Sequence, residues 1–132
     1  MAHPLDPTDP LTDVHVLVVE DEYLVAMEMA SELQDRGAVV VGPVGDVASA
    51  LGLVAAADAI DVAVLDVNLG GDWVFPVADR LSERGVPSVF VTGYDDAAIP
   101  ASYAAVERVR KPVQVEELVE HVSRLVQSMR PN

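Results

Sequence analysis

The feature that most constrains this chain is a set of short runs of β-branched and apolar residues, too uniformly apolar to leave one face in water. They are Val14–Val19, Val39–Val41, Val62–Leu65 and Ser88–Val91, with a shorter fifth near Arg108–Arg110. A strand that is apolar on both sides has to be covered on both sides, which is the condition of a parallel sheet enclosed by helices. Between the runs the apolar period changes from two to that of a helix. Ala26, Met29, Ala30 and Leu33 fall at i, i+3, i+4 and i+7 of a helix expected over about Tyr23 to Arg36, with Gly37 in the stop position. A second helix is expected from Asp46, an N-cap, to about Ala57, a third from roughly Trp73 to Arg84, stopped by Gly85. The last, from about Gln114 to Met129, carries Leu118, Val119, Val122, Leu125 and Val126 on one face. Pro100 interrupts the stretch between Thr92 and Lys111, so the fourth helix in chain order is expected to be short or poorly formed. The pattern predicts a doubly wound α/β domain of three layers.

Residues 1–13 place Pro4, Pro7 and Pro10 among Asp and Thr and read as a flexible N-terminal tail, leaving 14–130 as one domain. No run approaches the roughly 20 apolar residues of a membrane span, and no secretory signal opens the chain, so a cytoplasmic protein without membrane attachment is expected. The absence of cysteine excludes disulfides, thiolate metal sites and cysteine nucleophiles. Net charge is −14, from 22 acidic and 8 basic residues, which speaks against nucleic acid as a partner. Most of that acid is explained by solubility alone.

A few polar residues are not, because they stand at the ends of the predicted strands. Glu20, Asp21 and Glu22 follow the first, Asp66 ends the third, Thr92 the fourth and Lys111 the fifth. In open parallel α/β sheets the binding crevice lies beyond the carboxyl ends of the strands. Carboxylates brought together there either rise in pKa or enclose a cation. Oxygen ligands without Cys or a nearby His suit Mg²⁺. A hydroxyl and an ammonium beside them suit a tetrahedral anion, and phosphoryl transfer needs little beyond positioning and charge neutralisation. With no Ser–His or Cys–His arrangement in view, the nucleophile would be a carboxylate.

Val16-Leu17-Val18-Val19-Glu20-Asp21-Glu22, Val64-Leu65-Asp66-Val67-Asn68-Leu69, Val91-Thr92-Gly93 and Lys111-Pro112, in that order, resemble the receiver domain of two-component response regulators. The resemblance covers residues 14 to about 128. It implies a flavodoxin-like fold with five parallel strands in the order 2-1-3-4-5, and transfer of a phosphoryl group onto Asp66 from a histidine kinase or a histidine phosphotransfer protein. By position it makes Asp21, Asp66 and the carbonyl of Asn68 ligands of Mg²⁺, with Glu20 acting through water. Thr92 and Lys111 would hold the phosphoryl oxygens, helped by backbone N–H groups near Asn68 and Gly93, and the Lys111-Pro112 bond would be cis. Phe90-Val91-Thr92-Gly93-Tyr94, with Leu69-Gly70-Gly71 and Gly85-Val86-Pro87, is similar to a subgroup of single-domain receivers with a FATG motif that work with kinases of the HWE type. Such a domain is a phosphoprotein of signal transduction, not a turnover enzyme, and acts on a downstream protein target. One departure is Arg108, which stands where receivers often carry an aromatic switch residue; Tyr94 and a labile fourth helix are expected to take over that task.

Each motif has an ordinary reading, since acidic pairs, Thr-Gly and Lys-Pro are frequent in loops and turns. Their joint placement at four strand ends is what carries weight. A haloacid-dehalogenase-type phosphatase wants a second Asp two residues after the nucleophile, where Asn68 stands. A flavin-binding flavodoxin wants a phosphate loop where Glu20-Asp21-Glu22 would repel one. A degenerate receiver serving only as an interaction module is disfavoured by the intact Asp66, Thr92 and Lys111. Trp73 and Phe75 read as packing, and His3, His15 and His121 have no metal-like spacing.

Overall fold

A computed structural model describes residues 9–93 and 96–129. Strands β1 (His15–Val19), β2 (Val39–Val44), β3 (Val62–Asp66), β4 (Ser88–Thr92) and β5 (Glu107–Arg110) form one parallel sheet in the order β2-β1-β3-β4-β5. Helices α1 (Tyr23–Asp35), α2 (Val47–Ala56), α3 (Phe75–Glu83) and α4 (Val115–Met129) cover its two faces. This is the flavodoxin-like doubly wound arrangement expected from the sequence.

The strand period of two divides the core. Val16, Val18, Val62, Val64, Val89, Val91 and Val109 pack with Met29 and Leu33 of α1 and Leu118 and Val122 of α4. Leu17, Val19, Ala63, Leu65 and Phe90 pack on the other side with Ala50 and Val54 of α2 and Val77 and Leu81 of α3. Every residue of β3 is buried, as the middle strand of a doubly covered sheet requires. Fully burying one such Val or Leu stabilises by about 1.5–3 kcal/mol, so the two rows anchor the strand ends from which the functional side chains project.

Three local features differ from the sequence expectation. β2 does not stop at Gly42-Pro43 but runs through it to Val44, with Gly42 at φ 91° and a register shift against β1. Only an edge strand accommodates a proline in this way, and β2 is at the edge. Helix α3 begins at Phe75, not near Trp73, because Asn68–Leu69 and Asp72–Trp73 first pair as a small antiparallel ladder. Gly70 and Gly71 turn that ladder with φ of 66° and 105°, the positive values a two-residue hairpin loop demands at both positions. Leu11, inside the segment read as a tail, is fully buried in the α1/α4 core, where a turn closed by Val14 N–H to Leu11 C=O directs it. The fourth helix, expected to be short or poorly formed, is realised as two 3-10 turns, Asp96–Ala98 and Ala101–Tyr103.

Among the described histidines, the His15 ring lies 3.5 Å from Asp61 and the His121 ring contacts Glu107. Among the described residues, no helix is long and apolar enough to cross a membrane.

Candidate phosphoryl-acceptor site

The rows of core residues continue past the strand ends. Glu20 extends the row of Val16 and Val18, Asp66 that of Val62 and Val64, and Lys111 that of Val109, so the three emerge on one side of the sheet. Thr92 extends the opposite row, behind Phe90. Backbone bonds fix these ends: Glu20 N–H to Val44 C=O at 2.9 Å, Val67 N–H to Val91 C=O at 3.1 Å and Lys111 N–H to Thr92 C=O at 2.7 Å. The Lys111-Pro112 bond is cis.

Lys111 stands at the centre of the site. Its ammonium donates to Asp66 Oδ2 at 2.9 Å and to Glu22 Oε1 at 2.9 Å, and lies 3.4 Å from Glu20 Oε1. Asp66 and Glu20 are almost wholly buried, whereas Asp21 is exposed at the mouth. Asp66 Oδ1 accepts the Asn68 N–H at 3.2 Å, and Asn68 Oδ1 accepts the Gly71 N–H at 2.7 Å, so the hairpin is tied to Asp66. Glu20 Oε2 accepts the Glu22 N–H at 3.0 Å. Asp21, Glu22, Asp66, Asn68, Gly70, Gly71, Gly93 and Lys111 line an open crevice of about 300 Å³.

Burial dominates the electrostatics. It pushes the Glu20 carboxyl up to about 8, against the opposing pull of the Glu22 N–H and of Lys111, while Asp66 adds to the rise. Burial also raises Asp66, although Glu20, Lys111 and the Asn68 N–H pull it back. Burial by itself would lower the Lys111 ammonium; its bonds to Asp66 and Glu22 and the nearby acidic charge outweigh that and raise it. Two buried carboxyls therefore share one ammonium, and burial disfavours the charged form of each.

The donor set fits a hard divalent cation. Glu20, Asp21 and Asp66 each present an oxygen, all within 4.8 Å of one another. Among the described residues Glu20 Oε1 and Thr92 Oγ1 are buried without a hydrogen-bond partner. An orphaned buried oxygen calls for a ligand or water. Glu20, Asp21, Asn68, Asp66, Gly93 and Lys111 thus converge as the sequence predicted, and Thr92 stands behind them; Tyr94 lies outside the described residues. The contact between Glu22 and Lys111 was not foreseen, and its only sequence signal is the third acid of the run after β1.

A model of the response regulator receiver domain matches residues 16–123. The chain belongs to that family. Among solved structures, SdrG from Sphingomonas melonis Fr1 is 36% identical with a TM-score of 0.74, over 89% of this chain and 98% of that one. A receiver protein from Sinorhizobium medicae WSM419, 24% identical, shares the fold at a TM-score of 0.77, over 89% of this chain and 98% of that one. The transcriptional regulatory protein PdtaR of Mycobacterium tuberculosis H37Rv is 27% identical over 140 aligned positions, which take in 98% of this chain. The chain spans 65% of the length of that relative. As a receiver, it is the kind of domain that serves two-component signalling.

Proposed function

We propose that Asp66 accepts a phosphoryl group from a histidine kinase or histidine phosphotransfer protein in a Mg²⁺-dependent step, and that the altered domain then acts on a downstream protein. The observation that carries this reading is the Lys111 ammonium bonded to Asp66 Oδ2 while Glu20 and Asp21 present further oxygens within 4.8 Å. Glu20, Asp21, Asp66 and Asn68 are the residues that would hold the cation. Bound there, Mg²⁺ supplies positive charge to the phosphoryl oxygens.

The chain's own residues do the rest. Burial raises the Asp66 carboxyl and the Lys111 ammonium opposes that rise, favouring the ionised form whose oxygen serves as nucleophile. It attacks phosphorus; the P–O bond forms as the P–N bond of the donor breaks, and the departing imidazole keeps the bond pair and takes a proton from water. Lys111 stays beside the product, where a charge-assisted contact to a phosphoryl oxygen is worth roughly 1.5–3 kcal/mol. Thr92 Oγ1, buried and unpartnered among the described residues, is the hydroxyl free to turn toward the new oxygens. Its movement displaces Gly93 and the segment behind it, which is the proposed output.

The proposal extends to the finer family. Phe90-Val91-Thr92-Gly93-Tyr94 supports pairing with an HWE-type kinase, and the net charge of −14 supports a protein target in the cytoplasm over nucleic acid. The domain is read as a phosphoacceptor, with no turnover of phosphate esters beyond its own phosphorylation and dephosphorylation.

The test is labelling by acetyl phosphate with and without Mg²⁺, followed by mass mapping. Asp66→Asn should lose the label, and Asp21→Asn should need more Mg²⁺ to acquire it. Equal labelling of wild type and Asp66→Asn would refute the assignment. Transfer from a purified HWE kinase, compared with one of another class, checks the finer pairing.

A further inference from the structure

An ammonium has three N–H donors. Lys111 faces three carboxylates: Asp66 at 2.9 Å, Glu22 at 2.9 Å and Glu20 at 3.4 Å. Before any phosphoryl group arrives, the ammonium is already bonded to Asp66 and Glu22 and faces Glu20, so an incoming oxygen competes with carboxylates in contact with it. The three are not equally able to leave. The Glu20 side chain is fully buried and that of Asp66 is 5% exposed, so neither can turn into water, and parting either from the ammonium leaves a buried polar group without that partner. The Glu22 side chain is 60% exposed and can turn into water at little cost. Among the described residues, Glu22 bonds through its carboxylate to Lys111 and to nothing else. It occupies the N-cap position of α1, yet its side chain makes no capping bond. Its backbone holds it in place, through Glu22 N–H to Glu20 Oε2 at 3.0 Å and Ala26 N–H to Glu22 C=O at 2.9 Å.

We propose that Glu22 is a positioning residue that reserves Lys111 in the unphosphorylated domain and competes with phosphoryl oxygens for it. The inference rests on the proposed phosphoacceptor function. In the resting state Glu22 keeps the ammonium at the crevice mouth beside Asp66. On phosphorylation the Lys111–Glu22 bond breaks, the Lys111–phosphoryl contact replaces it, and the Glu22 carboxylate is solvated. Glu22 thereby weakens every ligand that needs Lys111 and leaves the attacking geometry of Asp66 unchanged. The residue sets how much phosphodonor is required for a response, not how fast the bound donor reacts.

The competing pair is exposed, and exposed pairs correspond to about a two- to fivefold change in affinity. Glu22→Gln is therefore expected to lower the half-saturating acetyl phosphate concentration by that factor, with the saturating rate unchanged. It should tighten beryllofluoride by a similar factor, followed through Trp73, the chain's single tryptophan and part of the ladder beside the crevice. Glu22→Asp, which keeps the charge, should stay within about twofold of wild type. In a Lys111→Met background Glu22→Gln should bring no gain, because the residue competed for is gone. An unchanged half-saturation in Glu22→Gln, or a gain that persists without Lys111, overturns the proposal. Wild type that takes no label at all defeats instead the phosphoacceptor reading on which it rests.

Discussion

Glu20 lies with its side chain out of water, 3.4 Å from Lys111, and burial pushes its carboxyl up to about 8. The consequence for stability has a definite sign. A carboxyl whose pKa is higher folded than unfolded binds more protons in the folded state, so its contribution is complete below its ordinary value of 4.5 and is lost as pH rises through about 8. The raised Asp66 acts in the same direction. The metal-free domain is therefore expected to become less stable between about pH 5 and pH 9, by on the order of a few kcal/mol, since one pKa unit is worth about 1.4 kcal/mol. Glu20→Gln should flatten that dependence in chemical denaturation at matched ionic strength. A wild-type profile that rises steadily over the same range contradicts the assignment. Saturating Mg²⁺ should also flatten it, since a cation among ionised carboxylates removes the cost of deprotonating Glu20.

At the scale of elements, the segment between β4 and β5 has too few internal hydrogen bonds to hold itself. Among the described residues, its turns carry Ile99 N–H to Asp96, Tyr103 N–H to Pro100, Ala104 N–H to Ala101 and Val106 N–H to Tyr103. Arg110 pairs with Asp96 at 3.0 Å, Ile99 and Val106 pack on the core, and Tyr103 adds ring and hydroxyl contacts of its own. The ring stacks on Phe75 at 5.3 Å and meets Phe90 at 5.7 Å, and the hydroxyl reaches the Asp79 carboxylate and the Phe75 carbonyl. Phe90 stands one residue before Val91 and two before Thr92, so the same stack joins the β4 side of the site to α3. Tyr103→Phe should keep the stack and lose the hydroxyl contacts, at about 1 kcal/mol, which is roughly fivefold faster exchange at the Ile99, Tyr103, Ala104 and Val106 amides. Tyr103→Ala should add the loss of two ring contacts, each about 0.5–1.5 kcal/mol. Unchanged protection in Tyr103→Ala would remove the latch. None of this was readable in advance, because the partners lie 24 and 28 residues away and periodicity reports only local order. The same limit hid the Glu22–Lys111 pair, separated by 89 residues. Leu11 was hidden for another reason: prolines around it suggested a free tail, and burial of a lone leucine leaves no repeat to detect. Asp66, Thr92, Glu20 and Lys111 were legible because an apolar run that ends in a polar residue marks the edge of a buried sheet, and the edge is where a crevice forms.

The whole molecule carries a net charge of −14, so any added salt should stabilise it by screening self-repulsion over distances beyond about 8 Å. That general effect has to be separated from a cation held by Glu20, Asp21 and Asp66. A substitution that removes one charge at the site has the same effect on net charge as one placed elsewhere, and the topology offers a matched pair. Asp21 follows β1 at the carboxyl end of the sheet, whereas Asp58 precedes β3 at the opposite end; both are exposed. General screening responds equally to Asp21→Asn and Asp58→Asn. Specific binding responds only to the first, and follows mass action: at a Mg²⁺ concentration 100 times the dissociation constant it adds about 2.7 kcal/mol. In thermal melts at fixed ionic strength, exchanging Na⁺ for Mg²⁺ should thus raise the melting temperature of wild type and Asp58→Asn by several degrees. Asp21→Asn should lose most of that rise, although its metal-free melting temperature should not fall, since one carboxylate of a crowded group has been neutralised. Equal Mg²⁺ responses in all three proteins would mean that the ion acts on the charge of the whole surface and that the cluster holds none.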